Sequence, residues 1–243
     1  MLSAPAAPHD RPIDQSALLA DLRARVARLE DSGREATVGR ALVPLCEGLP
    51  VAGLARGGLH ELLATSPGAG AGFAAVLLGL AGGAVLWIAG GAAKTVPWPP
   101  GLARCGLPPE QLILLRADRP EDALWAMEES LRCPAVGGAL LALDIKQEAM
   151  LTLTATRRLQ LAAEAGGGIG LLLRPESAAR LSHSVALTRW QVAPNGGVRG
   201  DPRWRLALLR ARGAKPGGPW CLRWNIAEAR LMLESGGMEE QDR

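Results

Sequence analysis

Tyrosine is absent from this chain, phenylalanine occurs once, and three lysines stand against 24 arginines. With 30 glycines, 18 prolines and abundant alanine, this is the residue spectrum of a GC-rich genome, so arginine in place of lysine is not in itself a mark of phosphate recognition. The four cysteines (Cys46, Cys105, Cys133, Cys221) form no C-x-x-C pair and have no histidine nearby. That argues against both a zinc site and a disulfide framework and points to a reduced, cytoplasmic setting. His9, His60 and His183 are isolated, so no Ser/His/Asp or Cys/His set assembles, and His60, on an apolar strand, reads as a hydrogen-bonded core residue. The opening residues, MLSAPAAPHDRPID, place no apolar core behind a basic start and do not read as a secretory signal. No lysine or arginine occurs between Arg56 and Lys94, an absence that bears on any phosphate chemistry in that stretch.

What the chain does have is apolar mass: 48% of its 243 residues are hydrophobic, enough for one large domain with appendages. The net charge of +3 is unevenly spread, residues 1–150 carrying 13 basic and 16 acidic side chains and residues 151–243 carrying 14 and 8. An uncharged run over residues 62–93 has the length of a bilayer span. Gly82-Gly83 divides it into a helix (about Gly72 to Ala81) and a buried strand (Ala84 to Ala89), so no membrane association is expected.

Periodicity separates three regions. Residues 1–39 hold an amphipathic helix (residues 13–31) with Leu18, Leu22, Val26 and Leu29 on one stripe, followed by a polar linker. That helix either docks on a partner or folds back on its own domain. Residues 40–233 form the core. In it strands at Leu59 to Leu63, Ala84 to Ala89, Gln111 to Arg116, Gly138 to Asp144 and Gly168 to Arg174 alternate with helices, one of them opened by Pro120-Glu121 and another over Leu153 to Ala165. A Pro-rich loop is expected over residues 95–109. Short apolar strands between helices predict an α/β fold with a central, mainly parallel, doubly wound sheet covered on both faces. Turn-rich connections over residues 187–233 predict an antiparallel meander that extends this sheet, and residues 234–243 read as a polar tail.

Within Gly58 to Ala75, the order of strand, glycine-rich turn and uncharged helix has the layout of a phosphate-binding loop, with Gly68, Gly70 and Gly72 beside the helix N-terminus. A working loop, G-x-x-x-x-G-K-[ST], places Lys on the β- and γ-phosphates and Ser/Thr on Mg²⁺. Here Ala71 and Gly72 follow Gly70, and Phe73 and Ala74 follow Gly72, so both groups are missing.

The element order is similar to the RecA recombinase core. GGLHELL resembles the strand that enters the phosphate loop, PEDALWAMEESLRCPAVGGALLALD the helix and Walker B strand, and TATRRLQLAAEAGGGIGLLLR the next helix and strand. More closely, LPVAGLARGGLHEL, ALWAMEESLRCPA, LTATRRLQLAAEAGG, GLLLRP, TRW and WRLALLRARG, spread over residues 49–213, resemble the ImuA family of RecA-like accessory proteins in bacterial damage-induced mutagenesis. The resemblance implies a role beside ImuB, a Y-family-like protein without polymerase activity of its own, and an error-prone polymerase in SOS-induced translesion DNA synthesis, with RecA a further candidate partner.

The same resemblance marks where the chain departs from an active RecA-type ATPase. Gly90-Gly91 occupy the place of the catalytic Glu after the second strand, and Arg174 that of the γ-phosphate-sensing Gln after the fifth. Only the Walker B acid has a counterpart, Asp144, which alternatively caps the turn after its strand. One carboxylate without Lys and base does not support phosphoryl transfer, so neither enzyme activity nor a cofactor is expected. Two other readings stay open: a divergent ATPase with a cation supplied in trans, and a protein that caps or displaces RecA filaments. The stretches from Asp144 to Arg157 and from Arg174 to Arg189 are short for RecA's two DNA-binding loops.

Between Arg180 and Arg223 nine basic residues meet one acid, Asp201, with Trp190, Trp204, Trp220 and Trp224 interleaved. Cations beside rings suit a single-stranded nucleic acid. In strand register, however, Trp204 shares a face with Leu206 and Leu208 and so reads as core. Arg189, Arg205, Arg210 and Arg212 are candidates for nucleic acid or for a protein partner, against a merely solvated face. Arg157 and Arg158 sit at a helix start, where the macrodipole disfavours cations, and point to a partner or to pairing with Glu128 or Glu129.

Overall fold

The computed structural model describes residues 42–90, 97–144, 149–177, 184–196, 201–211 and 214–234. The described chain opens with a two-stranded antiparallel hairpin, β1 (Leu42–Pro44) and β2 (Gly53–Ala55), which the sequence reading did not anticipate. Then follow β3 (Gly58–Ala64), α1 (Pro67–Ala81), β4 (Ala84–Gly90), α2 (Pro99–Arg104), a 3₁₀ turn (Pro109–Gln111), β5 (Leu112–Ala117), α3 (Pro120–Arg132), β6 (Val136–Ala142), α4 (Leu153–Gly166) and β7 (Ile169–Pro175). The chain closes with β8 (Thr188–Pro194), β9 (Arg203–Ala211), β10 (Gly217–Asn225) and β11 (Arg230–Leu233). The expected Pro-rich loop thus contains a short helix, for which Pro99 and Pro100 supply the preset φ of a first turn.

Nine strands make one sheet in the order β11-β10-β9-β8-β3-β7-β6-β4-β5. The pairs from β5 to β3 are parallel, and β8 to β11 run antiparallel to one another, the mixed sheet that the RecA-like resemblance implies. One pairing differs from expectation: β8 lies parallel to β3, so the antiparallel run begins only at β9. Alternation along LTRWQV fixes which side chains share a face and says nothing of strand direction.

Each face of the sheet has its own core. On one, α1 and α2 pack Phe73, Leu77, Leu78 and Leu102 against Leu171, Trp190, Val192, Trp204, Leu206 and Trp224. On the other, α3 and α4 bury Met127, Leu131 and Leu159 against Leu59, Ile88, Leu141 and Leu172. Helices on both faces explain why β3 and β7 are buried without alternation. The expected two-sided cover does not reach the meander, where β9 alternates between buried and exposed positions. At the opposite edge β5 leaves Ile113 and Leu114 exposed.

The uncharged run past Leu62 resolves into the end of β3, the 15-residue α1 and β4. Among the described residues no helix is long and apolar enough to cross a membrane. The C-terminal end of α1 is closed by Arg56, whose Nη2 donates to the Ala81 carbonyl. Burial pushes the Cys105 thiol up to about 11, with Arg104 offsetting part of the effect, so Cys105 serves as a small apolar group beneath α1.

His60 is the buried, hydrogen-bonded residue that its strand suggested. The Ala55 carbonyl can only accept, so Nε2 carries the proton and donates to it at 3.0 Å, which leaves Nδ1 to accept from the Thr188 hydroxyl at 2.8 Å. Thr188 Oγ1 in turn accepts from the Trp190 indole at 3.1 Å, so the neutral ring is fully satisfied. Burial lowers the His60 pKa to about 4, with the Ala55 hydrogen bond opposing. Between that value and the unfolded value of about 6.5 the unfolded chain holds the extra proton, so stability falls as pH falls through this window, by roughly 3 kcal/mol at its acid end. Urea unfolding of wild type and His60→Gln should show a stability difference that is flat above pH 7 and shrinks from pH 6.5 to 4. A pH-independent difference would contradict a buried neutral ring.

Candidate functional site at the C-terminal edge of the sheet

The glycine-rich stretch is helix, not loop. Ser66 caps α1, its Oγ accepting from the Ala69 amide at 3.3 Å, and Pro67 takes the first helical position. The Gly70 amide already bonds the Ser66 carbonyl at 3.1 Å. The helix therefore starts at Pro67 and not near Gly72, because a Ser-Pro cap and first-turn pair specifies a helix start more strongly than the glycines specify a turn.

Those glycines sit where α1 approaches its neighbours closely. A Cβ on Gly70 would come within 2.6 Å of the Ala64 Cβ and 2.7 Å of Leu173 Cδ1, and one on Gly72 would meet the Trp204 ring at 3.3 Å. Gly68, by contrast, faces open space. Trp204 locks the same turn, its indole donating to the Ala69 carbonyl at 2.9 Å and its ring lying 5.6 Å from that of Phe73.

Beside this helix start the ends of β3, β6 and β7 enclose a cavity of about 390 Å³. Its lining is mainly apolar, with Ala64, Pro67, Ala71, Trp87, Pro97, Leu143, Leu173 and Pro175; Thr65, Asp144, Arg174 and Ser177 are its polar members. The structure thus brings Asp144 and Arg174 to one site next to α1. Gly90 closes β4 and supplies no side chain.

Arg174 is spoken for. Its side chain is fully buried and its Nη1 donates to Glu61 Oε1 at 2.9 Å, while Arg189 Nε donates to Glu61 Oε2 at 2.5 Å. Glu61 lies in the middle of β3, between β7 and β8, and its carboxylate ties three strands together. The sequence reading passed over Glu61. The available signal was an acid inside an otherwise apolar strand, which is tolerated only when paired.

The other arginines divide as follows. Arg158 pairs with Glu128, which also accepts from Arg132, so the expected pairing between neighbouring helices is present; Arg157 is exposed. Arg210 donates to the carbonyls of Ser184 and Ala186, both at 2.9 Å, bracing the segment that enters β8. Arg205 is exposed on the uncovered face of β9, without an ion pair among the described residues. Around it Arg223 pairs with Asp201 at 2.6 Å and Arg203 with Glu234 at 3.1 Å, which dilutes the positive charge of that face. Trp190, Trp204 and Trp224 are buried and Trp220 is half-buried against the same core, so three of the four interleaved rings are core and not a stacking platform. Arg212 and the stripe Leu18, Leu22, Val26 and Leu29 lie outside the described residues. Among the described residues no cluster of His, Cys, Asp or Glu is arranged to hold a metal ion.

No protein-family model matches the chain. It is 37% identical over 198 residues to Protein ImuA of Caulobacter vibrioides, in strain NA1000 / CB15N and again in strain ATCC 19089 / CIP 103742 / CB 15, and the match covers 71% of this chain and 77% of each relative. The chain belongs to the ImuA family.

Proposed function

We propose that the chain is a non-catalytic, RecA-like accessory protein that acts with an ImuB-like Y-family protein and an error-prone polymerase in damage-induced translesion DNA synthesis. Membership of the ImuA family supports the pathway. The non-catalytic part is carried by one observation, the way α1 begins. Pro67 has no amide proton, the Ala69 amide is taken by Ser66 Oγ and the Gly70 amide by the Ser66 carbonyl, which leaves the Gly68 amide and makes the helix start a poor cradle for a phosphate. Arg174 is held by Glu61, and no residue of the stretch supplies the missing lysine. A cation lent in trans would restore charge without restoring the cradle or the base, which disfavours the divergent-ATPase reading.

Contact with DNA is secondary in this reading, because Arg205 is the exposed arginine of its face without an ion pair among the described residues. The stripe Leu18, Leu22, Val26 and Leu29 is proposed as a docking helix for the partner, since such a helix is marginal until its apolar side is covered. Affinity purification of the chromosomally tagged full chain from DNA-damaged cells of its host tests the proposal. It should recover a Y-family-like protein, and removal of residues 1–38 should lower that recovery at least tenfold. Recovery of RecA filaments alone would instead favour a filament modulator.

A further inference from the structure

The cavity at the sheet edge has the volume of a small-ligand site, and its walls determine what fits. Trp87, almost fully buried on β4, forms part of the lining, with Ala71 of α1, Leu143 and Leu173 around it. An anion gains little there. Pro67 has no amide proton, the Ala69 and Gly70 amides are occupied, and the Arg174 guanidinium is held by Glu61. An uncharged ring loses its water and gains contact with apolar walls. We propose that this cavity binds an uncharged, ring-bearing apolar ligand in place of a nucleoside triphosphate. The inference rests on the non-catalytic reading of this edge, but not on any partnership with a polymerase.

The test uses the full-length protein and N-phenyl-1-naphthylamine, an uncharged aromatic probe that fluoresces when it leaves water. Saturable one-site binding with a Kd on the order of 10 µM is expected for a ligand of this size. Two variants fill the cavity from different elements: Ala71→Phe from α1, and Thr65→Trp from the exposed turn ahead of it. Each should weaken binding at least tenfold. Thermal melting checks that the variants fold, and Thr65→Trp carries the test if Ala71→Phe does not, since Thr65 is exposed. Millimolar MgATP should leave the bound probe in place.

Probe binding unchanged in a folded cavity-filling variant would place the probe elsewhere and overturn the proposal, as would the absence of saturable binding, although the non-catalytic reading would survive both. Displacement of the probe by MgATP, lost in the same variants, would overturn the proposal and the non-catalytic reading together.

Discussion

Replacing Glu61 with Gln is expected to lower the melting temperature of the full chain by about 10 °C. The carboxylate is completely buried and accepts from Arg174 on β7 and Arg189 on β8, one arginine to each oxygen. Removing the charge leaves guanidinium groups facing an amide in a medium that solvates them poorly. Breaking a buried pair from one side costs roughly 3–5 kcal/mol, and for a domain of this size 1 kcal/mol corresponds to roughly 2–4 °C. The pair is not for that reason a net source of stability, because its desolvation is large, and the double variant Glu61→Leu/Arg174→Met should lose less than the sum of its single changes. Differential scanning calorimetry of the four proteins gives the cycle. A Glu61→Gln protein that melts within about 2 °C of wild type would show that the triad is solvated in a way the structure does not display.

Trp204→Ala should produce a loss of similar size and settle what the tryptophans of the meander are for. Trp204 is 2% exposed, lies against Phe73 and Gly72, and hydrogen-bonds the Ala69 carbonyl in the first turn of α1. Truncating such a side chain costs roughly 3–5 kcal/mol in lost transfer energy and residual cavity, and Trp204→Phe should recover part of it while still losing the indole hydrogen bond. A ring that served as a base-stacking platform would behave in the opposite way. Its removal would leave chemical denaturation unchanged and weaken single-stranded DNA binding by roughly 1–3 kcal/mol. Denaturant unfolding and a fluorescence-anisotropy titration with a labelled oligonucleotide, on the same variant, separate the two outcomes.

Both side chains mark how far the sequence could be read. Most strands of the parallel sheet were legible because burial on both faces makes them continuous apolar runs, as in Ala84 to Ala89 and Gly138 to Leu143. Trp204 was legible as core because its period-two neighbours Leu206 and Leu208 fixed its face. The start of α1 was misread, since GAGAG suggests a turn by composition while Ser66-Pro67 specifies a cap and a first position. Counting glycines favoured the first signal, yet Gly70 and Gly72 answer to packing against Ala64, Leu173 and Trp204, contacts distant in sequence.

The candidate site was the least legible part. Asp144 and Arg174 were found singly, from the ends of their strands. Their meeting in one cavity with Trp87 depends on the strand order, and the pairing of Arg174 with Glu61 depends on the register of β3 with β7. Neither is encoded in any one segment. The same holds for β8, whose pattern gave its face but whose parallel partner, β3, lies more than a hundred residues earlier in the chain.

The central claim, that the edge of the sheet where a RecA-type ATPase would act has lost its nucleotide chemistry, is tested most directly by steady-state hydrolysis. The purified full chain should be incubated with MgATP at millimolar concentration, with and without single-stranded DNA, beside Asp144→Ala. The account predicts no turnover above background in either protein, because the lysine, its Ser/Thr neighbour and the catalytic Glu are missing and, at the start of α1, Pro67 lacks an amide proton and the Ala69 and Gly70 amides are already bonded. Hydrolysis by the wild-type chain that disappears in Asp144→Ala would contradict it.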